Sequence, residues 1–403
     1  MTSPPHLPKD REGNRPETRL IHAGRNPREQ QGMINPPVWH ASTVLFPTMA
    51  DLEASASRRM NKGQINYGRV GTPTSYAFED AVAELEGGYR SVVASSGLAA
   101  VTTTLMAYAE KGVHFLIADS VYGPTRVYCD TVLQRLGIEI TYYDPLIGSG
   151  IKTLIKPNTR LIYMESPGSL TFEVQDVSAI AAVARAAGIV SAIDNTWSAG
   201  LFFKPLDHGV DISLQAGTKY LVGHADAMMG VITSTEAEYK RLRTMAYLLG
   251  QCAGPDDIYL ALRGMRTLAI RLHHHQESAL TMARWLQKRP EVAQVLHPGL
   301  PEDPGHDLWK RDFTGSSGLF GVILKPASSR AVAAMLDGMS LFGMGFSWGG
   351  FESLIIPAHA ENYRTAKPWK VEGPLIRLHI GLEAVEDLMA DLESGFDRLK
   401  AAA

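Results

Sequence analysis

From Ser91 onward, short β-branched runs alternate with longer stretches of helical period, and this alternation restricts the chain to few architectures. The runs are Ser91–Ala94, His114–Ala118, Ile138–Tyr143, Leu161–Met164, Ile189–Ile193, Asp211–Leu214 and Met228–Thr233. Between them lie Ala99–Lys111, Pro124–Leu136 and Val177–Ala187 with helical spacing. Strands separated by helices need crossover connections, hence a largely parallel sheet covered on both faces. Val177, Ile180, Ala181, Ala184 and Ala187 fall on one stripe, as packing onto a sheet requires, and Gly188 stops that helix. The expected fold is α/β.

On either side of this region the texture changes. Residues 1–69 are rich in Pro, Arg and short polar runs, with "INPPVWHAST" in the middle, and read as an extended arm. Composition leaves open whether the arm lies on another subunit or is a free tail. Residues 70–262 form the expected α/β domain, and 263–403 a smaller α+β domain packed beside it. Asp256–Lys288 reads as one long helical pattern closed by Pro290. Strand-like Leu319–Leu324, helix-like Arg330–Leu336, strand-like Leu375–Ile380 and a last helix from about Val385 follow.

Composition excludes several classes of function. A hydrophobic share of 45% over 403 residues predicts a sizeable core. The 39 Lys+Arg and 42 Asp+Glu nearly cancel, and no basic stripe is present to hold a phosphate backbone, so nucleic acid is not an expected partner. Cys129 and Cys252 are far apart and make neither a disulfide framework nor a zinc site. No apolar run reaches the roughly 18 residues of a membrane span. Met1–Leu20 has no apolar core of a secretory signal. The expectation is a soluble, cytoplasmic protein without membrane contact.

Open α/β sheets bind ligands beyond the carboxyl ends of their strands. After Ser91–Ala94 comes "SSGLAAVTT", where Ser96, Gly97 and Leu98 lead into a helix. Its first amides are unpaired, so this turn is either a phosphate cradle or an ordinary capped helix start. Ile189–Ile193 delivers Asp194, and Asp211–Leu214 is followed by "QAGTKYLVGH" with Thr218 and Lys219. A carboxylate and an amine thus meet at one rim. Small and apolar neighbours predict a partly desolvated lysine, nucleophilic toward carbonyls. A structural ion pair is the alternative. Phosphate cradle, ring-nitrogen carboxylate and reactive lysine are together what pyridoxal 5′-phosphate demands of a protein.

"SSGLAA", "SVYGPTR", "ESPGS", "IDNTW" and "TKYLVGHADAMMG" resemble the Cys/Met-metabolism family of pyridoxal-phosphate enzymes, which have the type I aminotransferase-like fold. The resemblance runs from "NPPVWHASTVLF" in the arm to "IRLHIGLEAVEDLMADLESGF" at the end. It implies that Lys219 bonds the cofactor, Asp194 holds its ring nitrogen, and Tyr122 stacks on the ring. Gly97, Leu98 and Thr218 match phosphate contacts. Ala216 stands where many members have a serine, so one hydroxyl contact is missing. Tyr67 and Arg69, in "NYGRVGTPT", match a pair reaching the phosphate of a neighbouring subunit, which implies a homo-oligomer, a tetramer of active-site-sharing dimers. Tyr67 is carried over as a substrate and catalytic contact too. Arg377 matches the arginine that grips the substrate α-carboxylate, a role suited to a planar guanidinium fork.

The family includes β-lyases, γ-lyases and γ-synthases. In "GMGFSWGGFESL" this chain has Phe346, Ser347 and Trp348, like the β-lyase branch, where the γ-acting branches tend to have Glu then Ser-Leu. "DPLIG", "SPGS" and "KRDFTGSSGLF" are β-lyase-like as well. The implied reaction is β-elimination of L-cystathionine to homocysteine, pyruvate and ammonia in methionine biosynthesis. Ser347 and Trp348 would help orient the substrate; a packed core indole is the alternative for Trp348. The other reaction considered is that of a γ-lyase or a broad cysteine/methionine C–S lyase. A nicotinamide oxidoreductase lacks its G-x-G-x-x-G after any expected strand, and a serine hydrolase lacks its G-x-S-x-G. His273, His274 and His275 are consecutive on an expected helix, point in different directions and are not expected to share a metal.

Overall fold

The computed structural model describes residues 13–57, 61 and 63–403. The first twelve residues of the expected arm, and with them most of the Met1–Leu20 segment, lie outside the described residues.

The part of the arm that is described is not wholly extended. α1 (Pro16–His22) starts at a proline, and Leu20 and Ala23 are spaced to enter the core together with Phe78 and Leu85. Arg19 pairs with Glu84 at 3.2 Å and Arg266 donates to the Leu20 carbonyl at 2.6 Å, so this first helix is part of the main body. α2 (Met49–Ser57) buries none of its residues.

Next come α3 (Pro73–Glu86), β1 (Arg90–Ala94), α4 (Gly97–Tyr108), β2 (His114–Ala118) and α5 (Gly123–Tyr128). The helical path continues past α5 through a wide turn at Cys129–Leu133 and a tight one at Gln134–Leu136. β3 (Glu139–Tyr143), β4 (Thr159–Glu165), α6 (Val177–Ala186), β5 (Val190–Asp194), β6 (Ile212–Gln215) and β7 (Gly230–Ser234) complete a seven-stranded sheet. Its order is β1-β7-β6-β5-β4-β2-β3, with β7 antiparallel to both neighbours and the other strands running one way. The carboxyl ends of β1, β2, β4, β5 and β6 therefore share one edge. β2, β4 and β6 are buried throughout or nearly so, as a sheet covered on both faces demands.

α7 (Glu236–Leu248) leads to α8 (Pro255–Met265) and α9 (Leu268–Leu286). The single helix expected from Asp256 to Lys288 is thus two. At the break the Gly264 carbonyl accepts the Thr267 amide at 3.0 Å in a tightened turn, with Thr267 Oγ1 and the Arg271 guanidinium also donating to it at 3.2 and 2.8 Å. α9 begins in the core of the large sheet with Leu268 and Leu272 and ends in a second core with Met282 and Leu286. That second core is closed by β8 (Val292–Leu296), β9 (Leu319–Leu324), α11 (Ser329–Asp337), β10 (Leu354–Ala358), β11 (Leu375–His379) and α12 (Val385–Ala401), with a fully antiparallel sheet in the order β10-β11-β9-β8, while α10 (His306–Asp312) packs Leu308 and Trp309 on the core of the large sheet.

A buried hub ties the two sheets together. Asp119, just after β2, receives Arg126 at 2.9 Å and the backbone amides of Thr365, Ala366 and Lys367 at 3.0 to 3.1 Å. Arg364 lies 3.4 Å from the same carboxylate and 2.7 Å from Glu173. The chain thus enters β11 from a point fixed on the large sheet. No helix among the described residues is long and apolar enough to cross a membrane.

Candidate active site

At the shared carboxyl edge the sheet opens into a cleft of about 380 Å³. Gly97, Leu98, Tyr122, Asp194, Thr218, Lys219, Ser347, Trp348 and Arg377 all line it. They come from four strand ends of the large sheet and from the β10–β11 side of the smaller one.

Lys219 sits in the turn after β6, and its Nζ donates to Ser347 Oγ at 2.5 Å. The ammonium also lies 5.3 Å from the centre of the Trp348 ring. Burial, then the Arg377 charge, pull its pKa down to about 8, with Asp194 opposing. Among the described residues it makes no ion-pair contact with Asp194, so the structural ion pair weighed above is not formed. An amine half neutral near pH 8 has a direct consequence. The rate at which the apoprotein captures pyridoxal 5′-phosphate is expected to rise about tenfold per pH unit up to about pH 8 and then level off. Stopped-flow absorbance from pH 6 to 10 checks this; a rise continuing to about pH 10, as for an ordinary lysine, would contradict it.

Asp194 closes β5 and receives both the amide (3.0 Å) and the hydroxyl (2.5 Å) of Thr196. Thr196 Oγ1 in turn accepts the Ala216 amide at 2.9 Å, so the ends of β5 and β6 are stitched through one hydroxyl. Burial raises the Asp194 pKa, while the Thr196 bonds and Lys219 hold it down. Behind it, Asn195 reaches the buried Glu86, which also accepts from Ser213 and Gln215. Burial pushes Glu86 up to about 7 against those three donors.

Ser96 caps α4 by accepting the Ala99 amide at 3.0 Å. The Gly97 and Leu98 amides ahead of it find no partner among the described residues, and both residues face the cleft. A Cβ on Gly97 would stand 2.4 Å from that of Ala216. The cradle therefore needs glycine there and tolerates no more than a small residue opposite. Thr218 also lines the cleft, but its hydroxyl donates to the Met229 carbonyl (3.1 Å) and accepts the Met229 amide (3.0 Å).

Tyr122 follows the Asp119 hub. Its phenol pKa is raised by burial and by Glu165 and Asp194, against Arg377, so the hydroxyl keeps its proton at neutral pH. Arg377 Nη2 donates to the Ser347 carbonyl at 3.0 Å; burial lowers its pKa to about 10, which still leaves it cationic. Trp348 is both a packed indole and a wall of the cleft: it lies half-buried against the cores of the large sheet, with its ring 5.4 Å from that of Tyr220.

Two expected site residues stand apart within the single chain. Tyr67 and Arg69 line a different cavity of about 250 Å³, where Arg69 donates to the Tyr247 carbonyl at 2.9 Å and covers the Tyr247 ring. The three histidines diverge: His273 approaches Glu17 at 3.6 Å, His274 approaches Ser278 at 3.5 Å, and His275 Nδ1 bonds the Ile380 carbonyl at 2.8 Å.

Glu165 and Thr196 escaped the sequence reading. Glu165 ends β4 in register with Asp194 and accepts the Tyr122 amide at 2.7 Å. Burial and the neighbouring Asp194 push its pKa well up, against the Tyr122 amide. Its place at a strand end is the same signal that exposed Asp194.

A desolvated amine, an acid on the floor, unpaired helix amides above a side-chain-free glycine and a guanidinium at the mouth match the needs of pyridoxal 5′-phosphate and an amino-acid carboxylate. The sequence profile of the Cys/Met metabolism PLP-dependent enzymes matches residues 17–397. A putative cystathionine β-lyase of Rhizobium johnstonii is 50% identical, covering 94% of this chain and 95% of its own. The cystathionine β-lyase of Escherichia coli is 45% identical over 95% of this chain and 98% of its own. Among solved structures, cystathionine γ-lyase from Lactobacillus plantarum, complexed with L-serine, superposes with a TM-score of 0.86 at 30% identity, covering 96% of this chain and 99% of that one.

Proposed function

The chain belongs to the Cys/Met metabolism PLP-dependent enzymes, and from that premise we propose that it breaks L-cystathionine at Cβ–S, with water taken up and homocysteine, pyruvate and ammonia released. It is a carbon–sulfur lyase whose cofactor is pyridoxal 5′-phosphate. The observation that carries β- over γ-chemistry is Phe346-Ser347-Trp348 lying against Lys219: Ser347 holds the amine, and the neighbouring Phe346, 91% exposed, brings no acid. Elimination at Cβ needs one proton removed from Cα and one delivered to sulfur; γ-chemistry needs further shuttling at Cβ. The β-lyase names of relatives at 45 and 50% identity support the same reading.

Lys219 is the amine for the cofactor aldehyde, Asp194 the partner of its ring nitrogen, Tyr122 the ring lying on it, and Gly97, Leu98 and Thr218 the phosphate end. Bound there, the cofactor supplies an electron sink for the pair left at Cα. Arg377 grips the substrate carboxylate and, with Ser347 and Trp348, turns the Cα–H toward Lys219. The Lys219 amine takes that proton. The sulfur leaving Cβ takes its proton from Lys219 or from the Tyr122 phenol, which is held protonated. The three-carbon remainder takes up water and departs as pyruvate and ammonia.

This reading extends to the assembly. Tyr67 and Arg69 lie outside their own chain's cleft. They serve that of a neighbouring subunit, in a cytoplasmic tetramer of active-site-sharing dimers contributing to methionine biosynthesis. The exposed Ile34, Leu45 and Met49 of the arm give such a contact its apolar area. The division into arm (1–69), cofactor domain (70–262) and C-terminal domain (263–403) belongs to the same proposal.

The test is the product profile with L-cystathionine as sole substrate. Pyruvate and homocysteine are expected in equal amounts; 2-oxobutyrate and cysteine would replace this reading with γ-elimination.

A further inference from the structure

The turn that carries Ser347 is under strain and needs a holder. Ser347 has φ 84°, a left-handed conformation costing a non-glycine residue of order 1–3 kcal/mol unless its surroundings impose it. Two residues on, Gly349 (φ 87°) comes so close to the lysine that an added Cβ would stand 3.0 Å from Lys219 Cα, Cβ and carbonyl carbon. The turn thus rests on the Lys219 backbone while its serine holds the Lys219 amine.

On its far side, the turn meets His379, at the end of β11 and only 1% exposed. Its Nε2 lies 3.2 Å from the Gly349 amide and 3.1 Å from the Gly350 carbonyl, so either tautomer finds a partner in the turn. Its Nδ1 is buried with no partner among the described residues. The same holds for Nε2 of His275, whose ring centre is 5.2 Å away. Leaving a buried nitrogen unbonded costs about 1–3 kcal/mol. Packing alone would favour an apolar residue here, yet the chain keeps an imidazole, walled in by the rings of Tyr220 and His275.

We propose that His379 is a positioning residue: it grips Gly349 and Gly350, holds Ser347 in its left-handed conformation, and so aims the Lys219 amine. This deepens the reading of Lys219 as the proton-transferring amine and rests on it. Burial drives the His379 pKa down to about 3, so the ring acts as a neutral clamp throughout the working range.

The chemistry of the clamp selects its own replacements. A glutamine amide reaches where Nε2 stands and offers either a donor or an acceptor; an asparagine amide stops short at the level of Nδ1, and leucine offers neither. The experiment compares His379→Gln, His379→Asn and His379→Leu holoenzymes by two readouts besides turnover. One is exchange of the Cα proton of L-alanine into D2O, followed by NMR; alanine has no leaving group, so exchange reports proton transfer at Cα whatever the natural substrate is. The other is the stopped-flow rate at which each apoprotein captures pyridoxal 5′-phosphate.

Expected for H379N and H379L is a slowing of exchange by on the order of 10²-fold, the size of effect that misplacing a reacting group by about 1 Å produces. Capture should slow as well, while cofactor retention and KM stay within about threefold. H379Q should exchange within about threefold of the parent protein. Parent-like exchange in H379N and H379L would overturn the proposal, as would equal loss in all three variants, which is the mark of simple packing. If the exchange pattern holds while cystathionine yields no pyruvate, the substrate assignment fails and the clamp stands.

Discussion

Lys219→Ala is expected to abolish turnover of L-cystathionine, by at least about 10⁴-fold, because two contributions vanish with one side chain. The amine that takes the Cα proton is worth typically 10²–10⁴-fold, and the covalent hold on the cofactor goes with it. Tyr122→Phe, which removes a proton donor but keeps the ring, should lose about 10²-fold at most. Pyruvate release followed by a coupled assay gives both numbers. The variant should also lack the visible absorption band of the lysine-bound cofactor. A Lys219→Ala protein within tenfold of the parent would mean that another base serves Cα, and the assignment of the cleft would fall.

The largest effect on stability is expected at Asp119. This fully buried carboxylate gathers Arg126, the edge of Arg364 and three backbone amides of 365–367. Asp119→Ala removes the nearer of the two carboxylates that meet Arg126, leaving Asp130 at 3.9 Å, and takes the acceptor from those amides. Breaking a buried pair from one side costs about 3–5 kcal/mol, since the partner charge stays desolvated. Urea unfolding should show that loss, and limited proteolysis should open the chain near 360–370, where the tie to the large sheet is released. Because the same segment leads into β11, the variant should bind its amino-acid substrate less tightly through Arg377. A loss below about 1 kcal/mol would show that the hub is replaceable by solvent.

Much of the architecture was legible because its cause is local. β-branched runs and 3.6-residue periods carried the expectation of a largely parallel sheet, and six of its strands run one way. What escaped was also systematic. α3 carries a proline start, the Thr72 cap and Gly87 at its end, so its signals were present but lay outside the alternating region. β8 and β10 are short strands, each paired antiparallel with the next strand across a connection too long to carry a hairpin-turn signal. The break between α8 and α9 is made by Arg271 reaching back to Gly264 and across to the Tyr220 carbonyl, a contact that no periodicity encodes. α1 escaped the expectation of an extended arm because its apolar face is only Leu20 and, just past its end, Ala23.

The site divides along the same line. Asp194 and Lys219 were recognisable as residue types delivered by consecutive strands, since a strand's exit point follows from the run that precedes it. Glu165 beside Asp194 needed the β4–β5 register, and His379 behind the Ser347 turn needed the smaller sheet in place. Residue chemistry and spacing along one element are properties of the chain as written: which amine, which acid, which cradle. The meeting of Lys219 with Ser347, 128 positions away, arises only when the two sheets pack. So does the removal of water that lowers the lysine's pKa, because desolvation belongs to the assembled cleft and to no single stretch of chain.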